Sequence, residues 1–223
     1  MNQGGNRDMK TFTPSDVVIH NQPCDLWVSY LGNVYNLTPL IVEFTNIGAV
    51  KLIKPLLAFG GKDISEWFNP DTGELRTYTH PITWTTAPYT PHGTLPHLGP
   101  LMPTSLWKPL TKKPWWKDTR YMIGRLTAKA RPIRILNVLT GHDDQIEVCC
   151  EDTLNRIQER YLFLNNHSGS YTWKFEGRVL NMNLTLAENG IPDEREEFIE
   201  LLLPEKFYIP AIMIYNNDDL TSS

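Results

Sequence analysis

Eight of the 17 prolines in this 223-residue chain fall between positions 81 and 114: Pro81, Pro88, Pro91, Pro96, Pro100, Pro103, Pro109 and Pro114. Each proline fixes φ and removes a backbone N–H, so this density excludes regular helix and most sheet. The regular structure must lie to either side. A free linker has no need of large apolar groups, yet Trp84, Tyr89, Leu95, Leu98, Leu101, Leu106 and Trp107 are interspersed, and Trp115-Trp116 closes the segment. Two adjacent tryptophans seldom stay in water without a reason. The expectation is an extended strap lying along the protein or along a partner.

The length suits one large domain or two small ones. Hydrophobic residues make up 41% and charged residues 21%, enough for a packed core and against global disorder. The net charge of −4 gives no reason to expect nucleic-acid binding. No run of about 18 apolar residues is present to span a membrane. The polar stretch 1–10 lacks an apolar signal core. Cys24, Cys149 and Cys150 are odd in number, and neighbouring cysteines in a strand face opposite ways, so reduced thiols and an intracellular setting are expected.

Before the strap, Thr13-Pro14 reads as an N-cap and first helical residue, with Val17, Val18 and Ile19 packing inward. Residues 26–30 and 34–37 read as strands joined at Gly32-Asn33. Thr38-Pro39 reads as a second helix start. Residues 51–59 are apolar at helical spacing and stop at Gly60-Gly61; Pro55 implies that a helix begins near it or breaks there. After the strap, Ile133 and Ile135, then Ile146 and Val148, alternate around a turn at 141–144, which predicts a hairpin. Asp152 can cap a helix reaching Tyr161, with Leu154, Ile157, Tyr161 and Leu162 on one face. Residues 171–175 and 211–215 read as further strands.

The stretch Asp25-Leu26-Trp27-Val28-Ser29-Tyr30-Leu31-Gly32-Asn33-Val34-Tyr35-Asn36-Leu37-Thr38 resembles the opening of a cytochrome b5 heme-binding domain. Gly60-Gly61-Lys62-Asp63-Ile64-Ser65-Glu66-Trp67-Phe68 resembles that family's later segment, where a short helix walls the heme cleft. Where the family places its His-Pro-Gly-Gly, this chain has Glu43-Phe44-Thr45-Asn46-Ile47-Gly48, so one axial ligand is missing. Hairpin, helix, strand, short turn and final strand is the β-grasp order, and Glu176-Gly177-Arg178 with Thr185-Leu186 and Asn189-Gly190-Ile191 resembles the ubiquitin-like family. The expected fold is α+β: a tail (1–11), a degenerate cytochrome b5-like domain (12–84), a Pro/Trp-rich strap (85–129), a ubiquitin-like β-grasp domain (130–216) and a second tail (217–223).

Heme requires an apolar cleft and one or two iron ligands. Leu40, Ile41, Leu52, Ile53, Leu56, Leu57, Phe59, Ile64, Trp67 and Phe68 would supply the cleft, and would serve equally as a filled core. The resemblance implies a ligand histidine after the Asp63–Phe68 segment. His80 lies several residues beyond the family spacing, and Tyr78 is a second candidate through its phenolate, so His80 and Tyr78 are the candidate iron ligands. The other histidines show no zinc spacing, no serine sits in a nucleophile elbow, and Gly60-Gly61 is no phosphate loop. Nothing here points to an enzyme. Lys108, Lys112, Lys113, Lys117, Arg120, Arg125, Lys129, Arg131 and Arg134 form a local basic segment, read as a linker face or a contact for an acidic partner such as a tubulin-rich filament.

The order of modules resembles the cytochrome b5 domain-containing protein 1 family. The resemblance implies a structural component of the motile-cilium axoneme, placed in the radial spoke among other axonemal proteins, with conditional heme binding and a redox role in coordinating beating. It implies neither nucleic-acid nor membrane partners, and a location in cytoplasm, cytoskeleton and cilium. The competing readings are an obligate heme redox protein and an adaptor acting through its ubiquitin-like surface.

Overall fold

A computed structural model describes residues 9–98, 113–166 and 168–216. Leu101, Leu106, Trp107, Lys108, Lys112, His167, residues 1–8 and the expected tail from 217 lie outside the described residues. The chain divides into two compact units, one ending at Leu126 and the other beginning at Thr127.

The first unit opens with β1 (Thr11–Phe12) and α1 (Pro14–Val18). Thr13 and Asp16 form a reciprocal capping box: Thr13 Oγ1 accepts from the Asp16 N–H, and the Asp16 carboxylate accepts from the Thr13 N–H. Only Val17 of the expected inward trio is buried, because five residues are too short to turn all three to one side; Val18 and Ile19 are exposed. Then come β2 (Asn21–Gln22), β3 (Asp25–Tyr30) and β4 (Asn33–Asn36). The β3–β4 turn is Leu31-Gly32, with φ of +48° and +75°, the two-residue geometry that matches strand twist.

Next are α2 (Thr38–Asn46) and α3 (Val50–Ala58). Pro55 neither starts nor breaks α3, contrary to the sequence expectation. It sits buried inside the helix, at the loss of the N–H that would have paired with Lys51. The short helix expected near 63–68 is a single 3-10 turn, Ser65–Trp67. The proline-dense segment is partly regular after all. β5 (Thr77–Thr79) and β6 (Thr86–Pro88) form a hairpin, with Pro88 at the end of an edge strand.

Of the segment expected to connect two domains (85–129), the described residues up to Leu126 belong to the first unit. β7 (Met122–Leu126) enters its sheet, giving the order β1-β7-β4-β3-β2, with β1 and β7 parallel. Thr11, expected in the tail, is paired there. Gly124 allows the approach: a Cβ there would lie 2.2 Å from the Lys10 carbonyl oxygen. The core gathers Leu26, Val28 and Tyr30 from β3, Leu40, Ile41 and Phe44 from α2, and Ile53 and Leu56 from α3. Leu95, Trp115, Trp116 and Tyr121 from the strap complete it. Each such side chain withdrawn from water contributes about 1.5–3 kcal/mol.

The second unit contains β8 (Ala130–Asn137), β9 (Asp143–Cys149), α4 (Leu154–Tyr161), β10 (Tyr171–Phe175), β11 (Arg178–Val179), α5 (Arg195–Glu200) and β12 (Ala211–Asn216). The sheet order is β11-β10-β12-β8-β9, with β12 and β8 parallel and the other pairs antiparallel. Leu154, Ile157 and Tyr161 of α4 pack with Ile133, Ile135, Val148, Trp173, Ile212 and Ile214, a β-grasp arrangement. Asp152 does not cap α4. Thr153 holds that position without a side-chain bond, and buried Asp152 accepts from Arg160 Nε at 2.8 Å. Leu162, beyond the helix end, is exposed.

Candidate functional site

In the first unit the apolar space between α2, α3 and the Ser65–Trp67 turn is where a cofactor of the cytochrome b5 kind would enter. Trp115 is 0% exposed in this core, its ring edge-on to Tyr30 and Phe68 with centroids 6.1 Å away in each case. Tyr30 stacks between Tyr35 at 4.3 Å and Phe68 at 4.5 Å. Its hydroxyl donates to the Trp116 backbone carbonyl, and burial pushes its pKa far up, so it stays a neutral donor. Trp116 Nε1 donates to Glu74 Oε2 at 3.1 Å, and Lys117 pairs with the same carboxylate. The Lys117 ammonium holds Glu74 below the ordinary glutamate range.

The described part of the strap packs on the same core. Leu95 is buried in the same cluster. His97 lies edge-on to Phe44 at 5.5 Å, and its Nδ1 accepts the Trp115 backbone N–H at 3.1 Å. His92 packs on Phe59 at 4.5 Å and Trp67 at 5.7 Å, with Nε2 4.0 Å from Glu66 Oε1. Gly93, at φ +119°, passes Pro55 so closely that a Cβ would lie 3.2 Å from the ring. The cavity left among Pro55, Trp67, Tyr89, His92 and Leu95 measures about 10 Å³. That is room for about one water. The Trp67 indole N–H is buried with no acceptor among the described residues.

Neither candidate iron ligand belongs to this cluster. Tyr78 on β5 is 39% exposed and faces its hairpin neighbour Tyr89, ring centroids 6.2 Å apart. His80 begins the hairpin loop, where its Nδ1 accepts backbone N–H groups of Ile82 at 3.3 Å and Thr83 at 3.4 Å. A neutral imidazole has one lone-pair nitrogen, so a ring that accepts through Nδ1 presents N–H, not a ligand, at Nε2. The same holds for His97. Among the described residues, Leu95, Trp115 and Trp116 of the strap share one core with α2 and α3, and the imidazole lone pairs of His80 and His97 are engaged by backbone, so neither ring as placed offers an iron ligand.

Elsewhere, no group of three or more His, Cys, Asp or Glu side chains is placed to hold a metal ion among the described residues. Cys149 is buried and accepts from Arg160 Nη2 at 3.1 Å; desolvation pushes its thiol up to about 12, so it is a poor nucleophile. Much of the basic segment is paired internally: Lys117 with Glu74, Arg120 with Asp118, Lys129 with Asp193 and Glu196, and Arg134 with Asp143. Arg131 is buried and donates to the Ile191 carbonyl at 3.0 Å. No described helix is long and apolar enough to cross a membrane. Sequence reasoning passed over His92 and His97 as lacking metal spacing. Their part is to pack strap against helices, and the apolar residues around them were the signal.

These features define an α+β protein with a cytochrome b5-like unit followed by a β-grasp-like unit. No model of a known protein family matches the sequence. The chain is 50% identical over 210 residues to cytochrome b5 domain-containing protein 1 of Xenopus laevis, covering 94% of this chain and 95% of that one. It is 47% identical to the proteins of the same name from Mus musculus, over 97% and 93% of the two chains, and Homo sapiens, over 94% and 91%. The chain belongs to the cytochrome b5 domain-containing protein 1 family.

Proposed function

We propose that this chain is a non-enzymatic assembly component of the motile-cilium axoneme, built into the radial spoke, in which the cytochrome b5-like frame serves as a packing module. One observation carries the packing part: Leu95 and Trp115 of the strap are buried in one cluster with Leu40, Ile41, Ile53, Leu56, Ile64, Trp67 and Phe68, the residues expected to line a porphyrin cleft. An electron carrier keeps its cofactor pocket open to the cofactor, whereas a scaffold gains from filling it. The ciliary setting rests on the family resemblance, and the β-grasp unit fits it as an interaction fold held within a longer chain.

The test is fractionation of ciliated cells bearing the tagged chain. The reading expects retention on demembranated axonemes through detergent, release only in high salt, and no porphyrin colour in the released protein. Recovery in the detergent-soluble fraction would remove the axonemal reading. A stoichiometric porphyrin in the released chain would remove the packing reading.

A further inference from the structure

The connection between β11 and β12 carries a lobe that the core of the second unit does not use. α5 ends in a Schellman motif: the Leu202 N–H donates to the Ile199 carbonyl at 3.0 Å, and the Leu203 N–H to the Phe198 carbonyl at 2.8 Å. The residue at the reversal has φ of +59°, where glycine is favoured and a Cβ is strained. Leucine stands there, 94% exposed, so its side chain returns almost nothing to the fold. Ile199, Leu201 and Phe207, its neighbours along the chain, are exposed as well, and Phe207 is propped edge-on against Phe198 at 5.7 Å.

This apolar cap is set in negative charge. Residues 193–208 hold six carboxylates (Asp193, Glu194, Glu196, Glu197, Glu200 and Glu205) against two basic side chains, Arg195 and Lys206. Asp193, Glu196 and Glu205 are paired with Lys129 or Arg195. Among the described residues, Glu194, Glu197 and Glu200 form no ion pair. Two copies of the lobe would oppose like charges, and an anionic membrane surface would repel it. The lobe has no strand edge, so a partner must engage it through side chains.

We propose that the lobe is a docking surface for a basic amphipathic helix of a partner protein. The helix lays its apolar stripe on Ile199, Leu201, Leu202 and Phe207, and its flanking Lys and Arg meet Glu194, Glu197 and Glu200. The leucine strains the backbone at a glycine-favouring position without packing into the fold, which motivates a role for its exposed side chain.

The probe is a fluorescein-labelled Leu/Lys peptide of about four helical turns with leucine on one face, titrated into the full chain; a Leu/Glu peptide of the same pattern is the control. The expected result is saturable binding of the basic peptide alone, weakened by salt. Leu202→Gly relieves the backbone and removes the side chain. Its unfolding midpoint should hold or rise while peptide affinity falls about tenfold, the effect of losing one buried leucine contact. Absence of saturable binding, equal binding by the variant, or equal binding of the acidic peptide overturns the proposal. So does a fall in the variant's unfolding midpoint, which would show that the leucine serves the fold, or a dimer in sedimentation that Leu202→Gly abolishes. The inference stands apart from the ciliary setting, since loss of peptide binding leaves axonemal retention as it was.

Discussion

Trp115→Ala separates a strap that is part of the core from one that merely lies nearby. Trp115 is fully buried, with its ring against Tyr30, Phe68 and Trp116. Truncating a buried tryptophan costs about 3–5 kcal/mol through lost transfer energy and the cavity left behind. Its indole N–H has no acceptor among the described residues, so the variant also sheds an unsatisfied donor that costs about 1–3 kcal/mol. The lower end, about 3 kcal/mol, is therefore expected. With a urea slope of about 2 kcal/mol/M, the midpoint falls by roughly 1.5 M. Following amide NMR signals of β3 and β10 through the titration reads the two units separately, and only β3 should shift. A residue outside the core changes stability by about 0.5 kcal/mol or less. A β3 midpoint moved by under roughly 0.25 M at the same slope would refute the placement of Trp115.

Gly124→Ala places a Cβ against the Lys10 carbonyl, so the Arg125 amide, which donates to that oxygen at 2.9 Å, should lose its hydrogen-exchange protection; retained protection would contradict the β1–β7 pairing. Asp193 is held well below the ordinary carboxylate range, chiefly by the hydrogen bonds of Arg195 and also by Lys129. A depressed folded pKa gives stability that is present above the unfolded value of about 4 and is lost as pH falls through the folded one. Acid titration of the second unit's stability should therefore slope downward below about pH 4, and Asp193→Asn should flatten that slope; an unchanged slope would count against the pair. Iodoacetamide at mildly alkaline pH should label exposed Cys24 well before buried Cys149, whose thiol is pushed up to about 12, as read by peptide mass mapping; equal rates would show that Cys149 is open.

Much of the fold was legible from local chemistry. Thr13-Pro14 and Asp16 specify a helix start within a few residues, because capping depends on near neighbours; the hairpin turn expected at Gly32-Asn33 falls one residue earlier, at Leu31-Gly32, since leucine gives no signal for a positive φ. The alternation of Ile133 with Ile135, also a near-neighbour pattern, gave the first β-grasp hairpin. The strap was read from prolines that forbid regular structure, and its apolar residues pointed to a surface without saying which. That β7 returns to pair with both β1 and β4 depends on contacts about a hundred residues apart, which no local pattern encodes. Pro55 misled because one missing N–H is tolerable in a helix held by buried Ile53 and Leu56. His80 was singled out by its place after Phe68; what its ring does is set by a hairpin loop that spacing does not reveal. Leu202 was invisible in the sequence, since only the backbone shows that a leucine occupies a glycine position.

The most direct test of the proposed packing role is a hemin titration of the 223-residue chain, followed by absorption in the ferric and dithionite-reduced states. The account expects weak, non-saturating changes, the same in His80→Ala and Tyr78→Phe. A one-to-one complex with the sharp, split visible bands of iron held between two imidazoles would contradict it.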